Sequence, residues 1–158
     1  MQKITPFLWF KDQAEEAATF YVSIFPNSRV TAVTRYGDSG PGPKGSVMTA
    51  AFELNGQSFT ALNGGPHFTF TPAVSFVVNC DTQDEIDRYW ATLSEGGDPA
   101  AQQCGWLKDR FGLSWQIVPS ELGRLVTGDQ GRADRVMRAL LPMKKLDIAS
   151  LRRAADAQ

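Results

Sequence analysis

One stretch of this sequence, Cys104–Pro119, concentrates side chains that could contact a small molecule. It reads as two strands joined by a tight turn at residues 109–112, in which an Asp starts the turn and a Gly supplies positive φ. Gln116 carries an amide that could hydrogen-bond a ligand carbonyl or hydroxyl, and Ser114 could add a hydroxyl. Trp106 could form an aromatic pocket wall. The alternative for Gln116 is a strand amide satisfied by its neighbours.

Two polar residues outside this stretch complete the set of ligand-binding candidates. Ser75 lies in an apolar run whose alternation places it on the same face as Gln116. Asn63 precedes two glycines, and it could either donate to a ligand at a pocket rim or serve a sharp turn.

Catalysis has two weaker candidates, Cys104 and His67. Cys104 could act as a nucleophile or a redox thiol, but no His–Cys pairing is visible, and a buried inert thiol is the alternative. His67 is the only histidine in the chain. A general base or metal ligand would use such a residue, but its Gly-Pro loop is typical of a solvent-facing histidine.

Three glycines in the loop 37–45 match the pattern G-x-G-x-x-G: Gly40, Gly42 and Gly45. A dinucleotide fingerprint must open a helix whose N-terminus receives the pyrophosphate. Here a β-prone segment follows, residues 46–54. The sequence therefore predicts neither a dinucleotide site nor, lacking GxxxxGK[ST], a P-loop.

Composition and charge exclude several classes of partner. The 158-residue chain has a net charge of -1, 42% hydrophobic residues and 21% charged residues, as in ordinary globular proteins. Its late basic residues follow helical spacing with acids between them, so we expect no nucleic-acid partner. No run approaches the ~20 apolar residues of a membrane helix. Without a signal-peptide pattern or metal-knuckle cysteines, we expect a cytoplasmic protein with reduced thiols.

The pattern of elements indicates an internal duplication, βαβββ–βαβββ, with a period near 70 residues. The first half is predicted as strand 4–10, helix 14–25 capped by Asp12, strands 29–36 and 46–54, an Asn55-Gly56 hairpin turn and strand 57–62. The second half is predicted as strand 73–78, helix 81–93 capped by Asp81, a short strand near 100–103, and the hairpin described above. We treat residues 1–158 as one domain comprising module 1–66, module 73–122 and a helical tail 129–158.

Two further expectations concern the side of the sheet from which residues project and the helices of the tail. Aligning the halves places Pro6, Thr60, Ser75 and Gln116 on one face, with Phe7 and other large residues towards the helix. In the tail, we expect one apolar helical stripe formed by Ala133, Val136, Met137, Leu140 and Leu141. Pro142 ends this helix, and Asp147 caps a last helix, 148–157.

Nearly the whole chain resembles the PhnB-like family of the vicinal-oxygen-chelate superfamily, the glyoxalase, bleomycin-resistance and extradiol-dioxygenase group. The PhnB-like family carries the inherited name 3-demethylubiquinone-9 3-methyltransferase. The motifs that carry the resemblance are Ala14-Glu-Glu-Ala, Phe20-Tyr21, Ile24-Phe25-Pro26-Asn27-Ser28, Leu62-Asn-Gly-Gly-Pro66, Ala73-Val-Ser-Phe76, Asp87-Arg-Tyr-Trp90, Cys104–Pro119 and Met143-Lys-Lys-Leu-Asp-Ile148.

The resemblance implies an α+β fold of two βαβββ modules whose curled sheets surround a concave pocket, usually in a homodimer. Metal-using members place ligands at positions near Pro6, Thr60, Ser75 and Gln116. None of these is His, Asp, Glu or Cys, so we expect no metal cofactor. Nor does any glycine-rich strand–helix turn predict an S-adenosylmethionine site for the methyl transfer in the family name.

Three hypotheses follow. The first is a metal-independent homodimer that binds a small organic molecule. The second is a superfamily enzyme with an unusual site that uses Gln116, Cys104 or His67. The third is a structural or regulatory dimer with a vestigial pocket.

Overall fold

A computed structural model describes residues 2–158, which form two compact units of α+β structure, one ending at Phe70 and the other spanning Thr71–Gln158. The α+β fold class is confirmed. The first unit contains β1 (Phe7–Phe10), α1 (Ala14–Ile24), β2 (Arg29–Arg35), β3 (Val47–Leu54) and β4 (Gln57–Asn63). The second contains β5 (Ser75–Cys80), α2 (Gln83–Ser94), a 3-10 helix (Pro99–Ala101), β6 (Trp106–Lys108), β7 (Ser114–Pro119), α3 (Leu122–Leu125), α4 (Gln130–Leu140) and α5 (Ile148–Asp156).

The sheet of the first unit has the strand order β1-β4-β3-β2, with β1 parallel to β4 and the other pairs antiparallel. Helix α1 packs on one side of this sheet. Its buried Tyr21 lies 6.1 Å from the ring of Phe52, which in turn stacks on Phe59 at 5.4 Å. Alternating large residues on β3 and β4 therefore form the core under α1, as their period of two predicts.

The turn between β3 and β4 is the predicted Asn55-Gly56 hairpin. Both residues have positive φ, 49° and 81°, and Leu54 pairs with Gln57 across the turn. Positive φ at both central positions defines a type I′ turn, which Asn-Gly favours because neither residue is strongly penalised there.

The predicted facing of β1 is wrong by one residue. Phe7 pairs with Thr60 in the parallel ladder and is 60% exposed, whereas Leu8 and Phe10 are buried. Paired residues project on the same side of a sheet, so Phe7 lies on the face away from α1. Strand β1, Phe7–Phe10, contains no polar residue to fix its alternation, and only the pairing with β4 decides it.

Helix α1 begins without the predicted Asp12 cap. Its N-cap residue is Gln13, whose side chain makes no capping hydrogen bond. Instead, Oδ1 of Asn63, at the end of β4, accepts a hydrogen bond from the Ala14 amide at 2.8 Å. Nδ2 of Asn63 donates to the Val47 carbonyl at 3.1 Å, so this one amide joins the start of α1 to the start of β3.

The glycine-rich loop after β2 leads into a strand, β3, as predicted, so no helix N-terminus follows the Gly40, Gly42 and Gly45 pattern. The ring of Tyr36 explains two of these glycines. A Cβ placed on Gly40 or Gly42 would lie only 2.5 or 2.3 Å from atoms of that ring. The glycines therefore make room for a buried tyrosine, whose hydroxyl donates to the Asn63 carbonyl at 2.5 Å.

The sheet of the second unit has the order β5-β7-β6, with β5 parallel and β6 antiparallel to β7. The strand predicted near 100–103 is wrong. A 3-10 helix occupies Pro99–Ala101, because Oδ1 of Asp98 accepts from the Ala100 amide at 2.9 Å and Pro99 suits the first helical position. Gln103 forms only an isolated bridge with Trp106.

The start of α2 also differs from the prediction. Its cap is Thr82, whose hydroxyl accepts from the Glu85 amide at 3.2 Å. The predicted cap, Asp81, instead accepts a 2.6 Å hydrogen bond from the hydroxyl of Ser120. Strand β5 runs 75–80 and not 73–78, so the chain turns into α2 one residue later than expected.

The C-terminal helices form their own apolar cluster on the second unit: Val118, Leu125, Val136, Leu140, Leu146, Leu151 and Ala155. Asp147 caps α5 as predicted and accepts from the Ser150 amide at 3.0 Å. The predicted apolar stripe of α4 is only partly buried, because Met137 and Leu141 are 39% and 52% exposed. Among residues 2–158, none of the helices has both the length and the apolar composition needed to cross a bilayer.

Candidate functional site

One face of the three-stranded sheet brings together four of the ligand-binding candidates. Trp115 and Ile117 of β7 are buried on the side that faces α2, so their neighbours in β7 project from the opposite side. Ser75 and Lys108 pair with Ser114, and Trp106 pairs with Gln116. We call this surface the polar face; its members are Ser75, Trp106, Lys108, Ser114 and Gln116.

Two of the predicted residues on the polar face are joined directly. Nε2 of Gln116 donates a 3.0 Å hydrogen bond to the hydroxyl of Ser75. The prediction that they share a face is confirmed. Within residues 2–158, the Gln116 amide oxygen has no hydrogen-bond partner in the protein, so it is free to accept from a ligand.

A pocket of about 320 Å³ opens at the β6 side of the polar face. Its lining includes three residues of the polar face, Trp106, Lys108 and Ser114. The 3-10 segment and the residue that precedes it, Asp98, line the pocket as well. This volume is at the lower end of the range for small-molecule sites, roughly 300–1,000 Å³.

The hydroxyl of Ser114 is the unusual group in this pocket. Ser114 is 1% exposed, and its Oγ is the one buried side-chain oxygen or nitrogen in residues 2–158 without a hydrogen-bond partner. Buried hydroxyls are normally paired, because leaving one unpaired costs about 1–3 kcal/mol. Ser114 also lines the pocket, so its unpaired hydroxyl is a candidate hydrogen-bonding group for a bound molecule.

The hairpin that carries β6 and β7 is held by the carboxylate of Asp109, which is 2% exposed. Its Oδ1 accepts from the amides of Phe111 and Leu113 at 2.9 and 3.1 Å, which is the predicted turn chemistry. Its Oδ2 accepts from the indole Nε1 of Trp115 at 2.9 Å. Trp115 is 3% exposed and is one of the large residues that the alignment of the two halves places towards the helix.

A glycine brings the 3-10 segment close to β6. A Cβ on Gly97 would lie 2.0 Å from the carbonyl oxygen of Lys108, far inside contact distance. The chain after α2 therefore passes directly over the backbone of β6, and this contact holds one wall of the pocket.

Sequence reasoning missed two charged residues of the pocket, Lys108 and Asp98. The signal for Lys108 was present, because a turn at residues 109–112 places Lys108 opposite Ser114. Asp98 had no such signal, since its position depends on the 3-10 helix that replaces the predicted strand.

The remaining ligand candidate, Asn63, lies in the first unit. It lines a pocket of about 590 Å³ together with Asp12, Glu15, Tyr36 and His67. Both ends of its amide already hold the backbone of α1 and β3.

The glycines that follow Asn63 are also explained by packing. The indole of Trp9 lies against Gly64, where a Cβ would come within 2.3 Å of the ring, and its Nε1 donates to the Gly65 carbonyl at 2.9 Å. Gly65 itself has φ of 91°, a conformation that favours glycine. The Asn-Gly-Gly motif therefore has a structural role in this unit.

The catalytic candidates Cys104 and His67 lie in different units. Cys104 is half-buried against the apolar cluster of the C-terminal helices, and His67 is exposed in its loop. The other thiol, Cys80, is buried, and burial raises its pKa to about 11, so it is protonated at neutral pH. Among residues 2–158, no three His, Cys, Asp or Glu side chains are grouped as a metal site requires.

Comparisons with known proteins agree with the fold. The model of a family described as 3-demethylubiquinone-9 3-methyltransferase matches residues 2–118. The PhnB protein of Bacillus cereus is 42% identical over 75% of this chain and 99% of its own, with a TM-score of 0.65. Protein PA1353 of Pseudomonas aeruginosa is 24% identical over 75% and 98% of the two chains, with a TM-score of 0.59.

A more distant similarity is to the fosfomycin resistance protein FosX of Mesorhizobium loti, at 13% identity over 74% of this chain and 91% of its own, with a TM-score of 0.50. At this identity the similarity concerns the fold alone. No curated protein matches the chain.

Proposed function

This chain belongs to the PhnB-like family described as 3-demethylubiquinone-9 3-methyltransferase, within the vicinal-oxygen-chelate superfamily, and we propose that it binds a small organic molecule on the polar face of its second unit. In this proposal Ser114, Trp106 and Gln116 contact the ligand, and Ser75 orients Gln116. Asn63 has a structural role in the first unit.

The observation that carries this proposal is the unpartnered, buried hydroxyl of Ser114, a residue that lines the pocket. The free protein gains nothing from this buried oxygen without a partner, whereas a bound molecule could supply the missing hydrogen bond. Trp106 lines the same pocket and adds an apolar wall, and Gln116, its partner across the β6–β7 ladder, adds an open amide oxygen on the polar face. A few polar groups on an apolar wall are typical of small-molecule sites.

We further propose that binding needs no metal. The polar face offers one amide oxygen, two hydroxyls and one ammonium group. A catalytic divalent ion is normally held by several imidazole or carboxylate ligands. For the same reason we propose a binding protein and not a glyoxalase-type or dioxygenase-type enzyme.

The assembly and location are part of the same proposal. We expect a homodimer, as in other members of the superfamily. We also expect a cytoplasmic protein, in keeping with the free thiols of Cys80 and Cys104.

Native mass spectrometry of the purified protein, with a denatured control, tests these statements together. The expected result is a metal-free dimer carrying an organic adduct that is lost on denaturation. One metal ion per subunit would overturn the metal-free proposal, and a monomer would overturn the dimer.

The site itself is tested by comparing Ser114→Ala with Ser23→Ala, since Ser23 is an exposed serine of α1 in the other unit. Ser114→Ala should lose the adduct, and Ser23→Ala should keep it. Equal adduct occupancy in wild type and Ser114→Ala would place the ligand elsewhere and overturn the proposed site.

A further inference from the structure

From the charges around the Ser114 pocket we infer that its ligand class is an aromatic carboxylate, whose anionic group lies between Lys108 and Ser114 and whose ring lies on Trp106. This inference rests on the proposed function and specifies the ligand of the same site.

The first step concerns the two hydrogen-bond donors. Lys108 and Ser114 are directly opposite each other across the β6–β7 ladder. Directly opposed side chains on one face have Cβ atoms about 4.5–5.5 Å apart, so the ammonium and the hydroxyl can converge on one small group. A carboxylate accepts two such hydrogen bonds at once, one at each oxygen.

The second step concerns the charge of Lys108. Its side chain is half-buried, and no ion pair in residues 2–158 involves it. Lys145 of the same unit differs, because it contacts the carboxylate of Asp87 at 2.8 Å. A partly desolvated ammonium without a counter-ion favours an anionic partner, and hydrogen bonds between charged groups are roughly twice as strong as those between neutral groups.

The third step concerns the ring. Trp106 is half-buried, pairs with Gln116 and lines the same pocket, two residue pairs further along the ladder than Lys108 and Ser114 and therefore on the same face. An aromatic ring attached to the carboxylate would therefore extend from the Lys108–Ser114 pair towards the indole. Aromatic pairs contribute to binding beyond the apolar area that they bury.

One residue of the pocket opposes this ligand, the carboxylate of Asp98. Its Oδ1 accepts from the Ala100 amide at the start of the 3-10 helix, and the residue is exposed. Its charge should therefore weaken the binding of an anion without preventing it. The charge of Asp98 therefore provides a second, independent test: removing it should strengthen the binding of an anionic ligand.

The test uses 2-naphthoate and its neutral analogue 2-naphthamide, measured by calorimetric titration against the full chain. For wild type we expect 2-naphthoate to bind about tenfold more tightly, or better, as a charge-assisted hydrogen bond predicts. Lys108→Met keeps the aliphatic part of the side chain and should reduce the ratio of the two Kd values to about twofold or less. Lys44→Met is the matched control, because it removes the same charge from an exposed loop residue.

Asp98→Asn provides the opposite change. Asparagine caps a helix about as well as aspartate, so the 3-10 segment is preserved while the negative charge is lost. Binding of 2-naphthoate should become about two- to fivefold tighter, and binding of 2-naphthamide should stay the same.

The inference is overturned if wild type binds the two probes equally, or if Lys108→Met keeps the full preference for 2-naphthoate. It is also overturned if neither probe binds saturably at millimolar concentration. These failures differ from failure of the proposed function: a neutral adduct lost from Ser114→Ala would preserve the site and refute only the ligand class.

Discussion

Trp115 donates its indole N–H to a carboxylate oxygen of Asp109 at 2.9 Å, six residues earlier in the chain and on the buried side of the hairpin. The other oxygen of Asp109 holds the two amides of the turn. One carboxylate therefore fixes both the turn and the first large core residue of β7, and with them the position of Ser114 between the two.

Replacing Asp109 with Asn should destabilise the protein. An amide has one acceptor oxygen, so either the indole or the turn amides must face an N–H₂ group. The lost hydrogen bonds should lower the free energy of unfolding by about 1–3 kcal/mol. Urea unfolding measures this, with Asp12→Asn as the control because that exposed residue caps nothing. If Asp109→Asn is as stable as Asp12→Asn, the carboxylate does not hold the hairpin.

Replacing Ser114 with Ala should leave stability unchanged or increase it by about 1 kcal/mol, because an unpaired buried hydroxyl is removed and a methyl group remains. Ser75→Ala is the contrasting variant. It removes the acceptor of the Gln116 amide and should cost about 0.5–1.5 kcal/mol. Thermal unfolding of the ligand-free protein compares the two. A Ser114→Ala variant that unfolds at a lower temperature than Ser75→Ala would mean that the Ser114 hydroxyl has a hydrogen-bond partner in the free protein. That result would contradict the observation on which the proposed site rests.

Replacing Asn63 with Ala should loosen the start of α1. Both the Ala14 amide and the Val47 carbonyl lose their partner, at a cost of about 1–3 kcal/mol. Asn63→Asp keeps the acceptor for the Ala14 amide but places an oxygen against the Val47 carbonyl, so it should preserve the helix start while still weakening the contact with β3. Hydrogen exchange at Ala14, with α5 as an internal reference, reports the effect. Protection of Ala14 that survives in Asn63→Ala would show that another group caps this helix.

The C-terminal helices should become less stable in acid. Hydrogen bonds from the Ser150 side chain and then from its backbone amide lower the pKa of Asp147. A lowered folded pKa means that the stabilisation is present above the unfolded value, about 3.9, and is lost as pH falls through the folded value. Asp87 changes in the same direction, because a hydrogen bond from Lys145 lowers its pKa.

Urea unfolding at pH 7 and at successively lower pH, for wild type and Asp147→Asn, measures the contribution of Asp147. Asparagine keeps a cap but does not titrate, and Asp87 titrates in both proteins. Wild type should therefore lose stability more steeply than the variant below about pH 4. Parallel curves would show that Asp147 contributes no pH dependence.

The sequence by itself determined the elements that depend on local chemistry. The Asn55-Gly56 turn, the Asp147 cap and the placement of Trp115 in the core follow from backbone preferences and alternation within a few residues. The side of the sheet that each residue of one hairpin faces was predictable for the same reason. Gln116 and Ser75 share a face because both of their strands alternate regularly. The resemblance to the family rested on the same local motifs.

Only the tertiary structure decided contacts between segments distant in sequence. Phe7 faces away from α1 because of its register with Thr60, and an all-apolar run cannot specify that register. Asn63 caps a helix 49 residues earlier, which no local pattern indicates. The predicted strand near 100–103 is absent because Asp98 and Pro99 favour a 3-10 turn, and that turn forms the pocket wall beside Ser114. The hydroxyl without a partner is visible only once every neighbour is in place, because a missing hydrogen bond is a property of the whole packed environment.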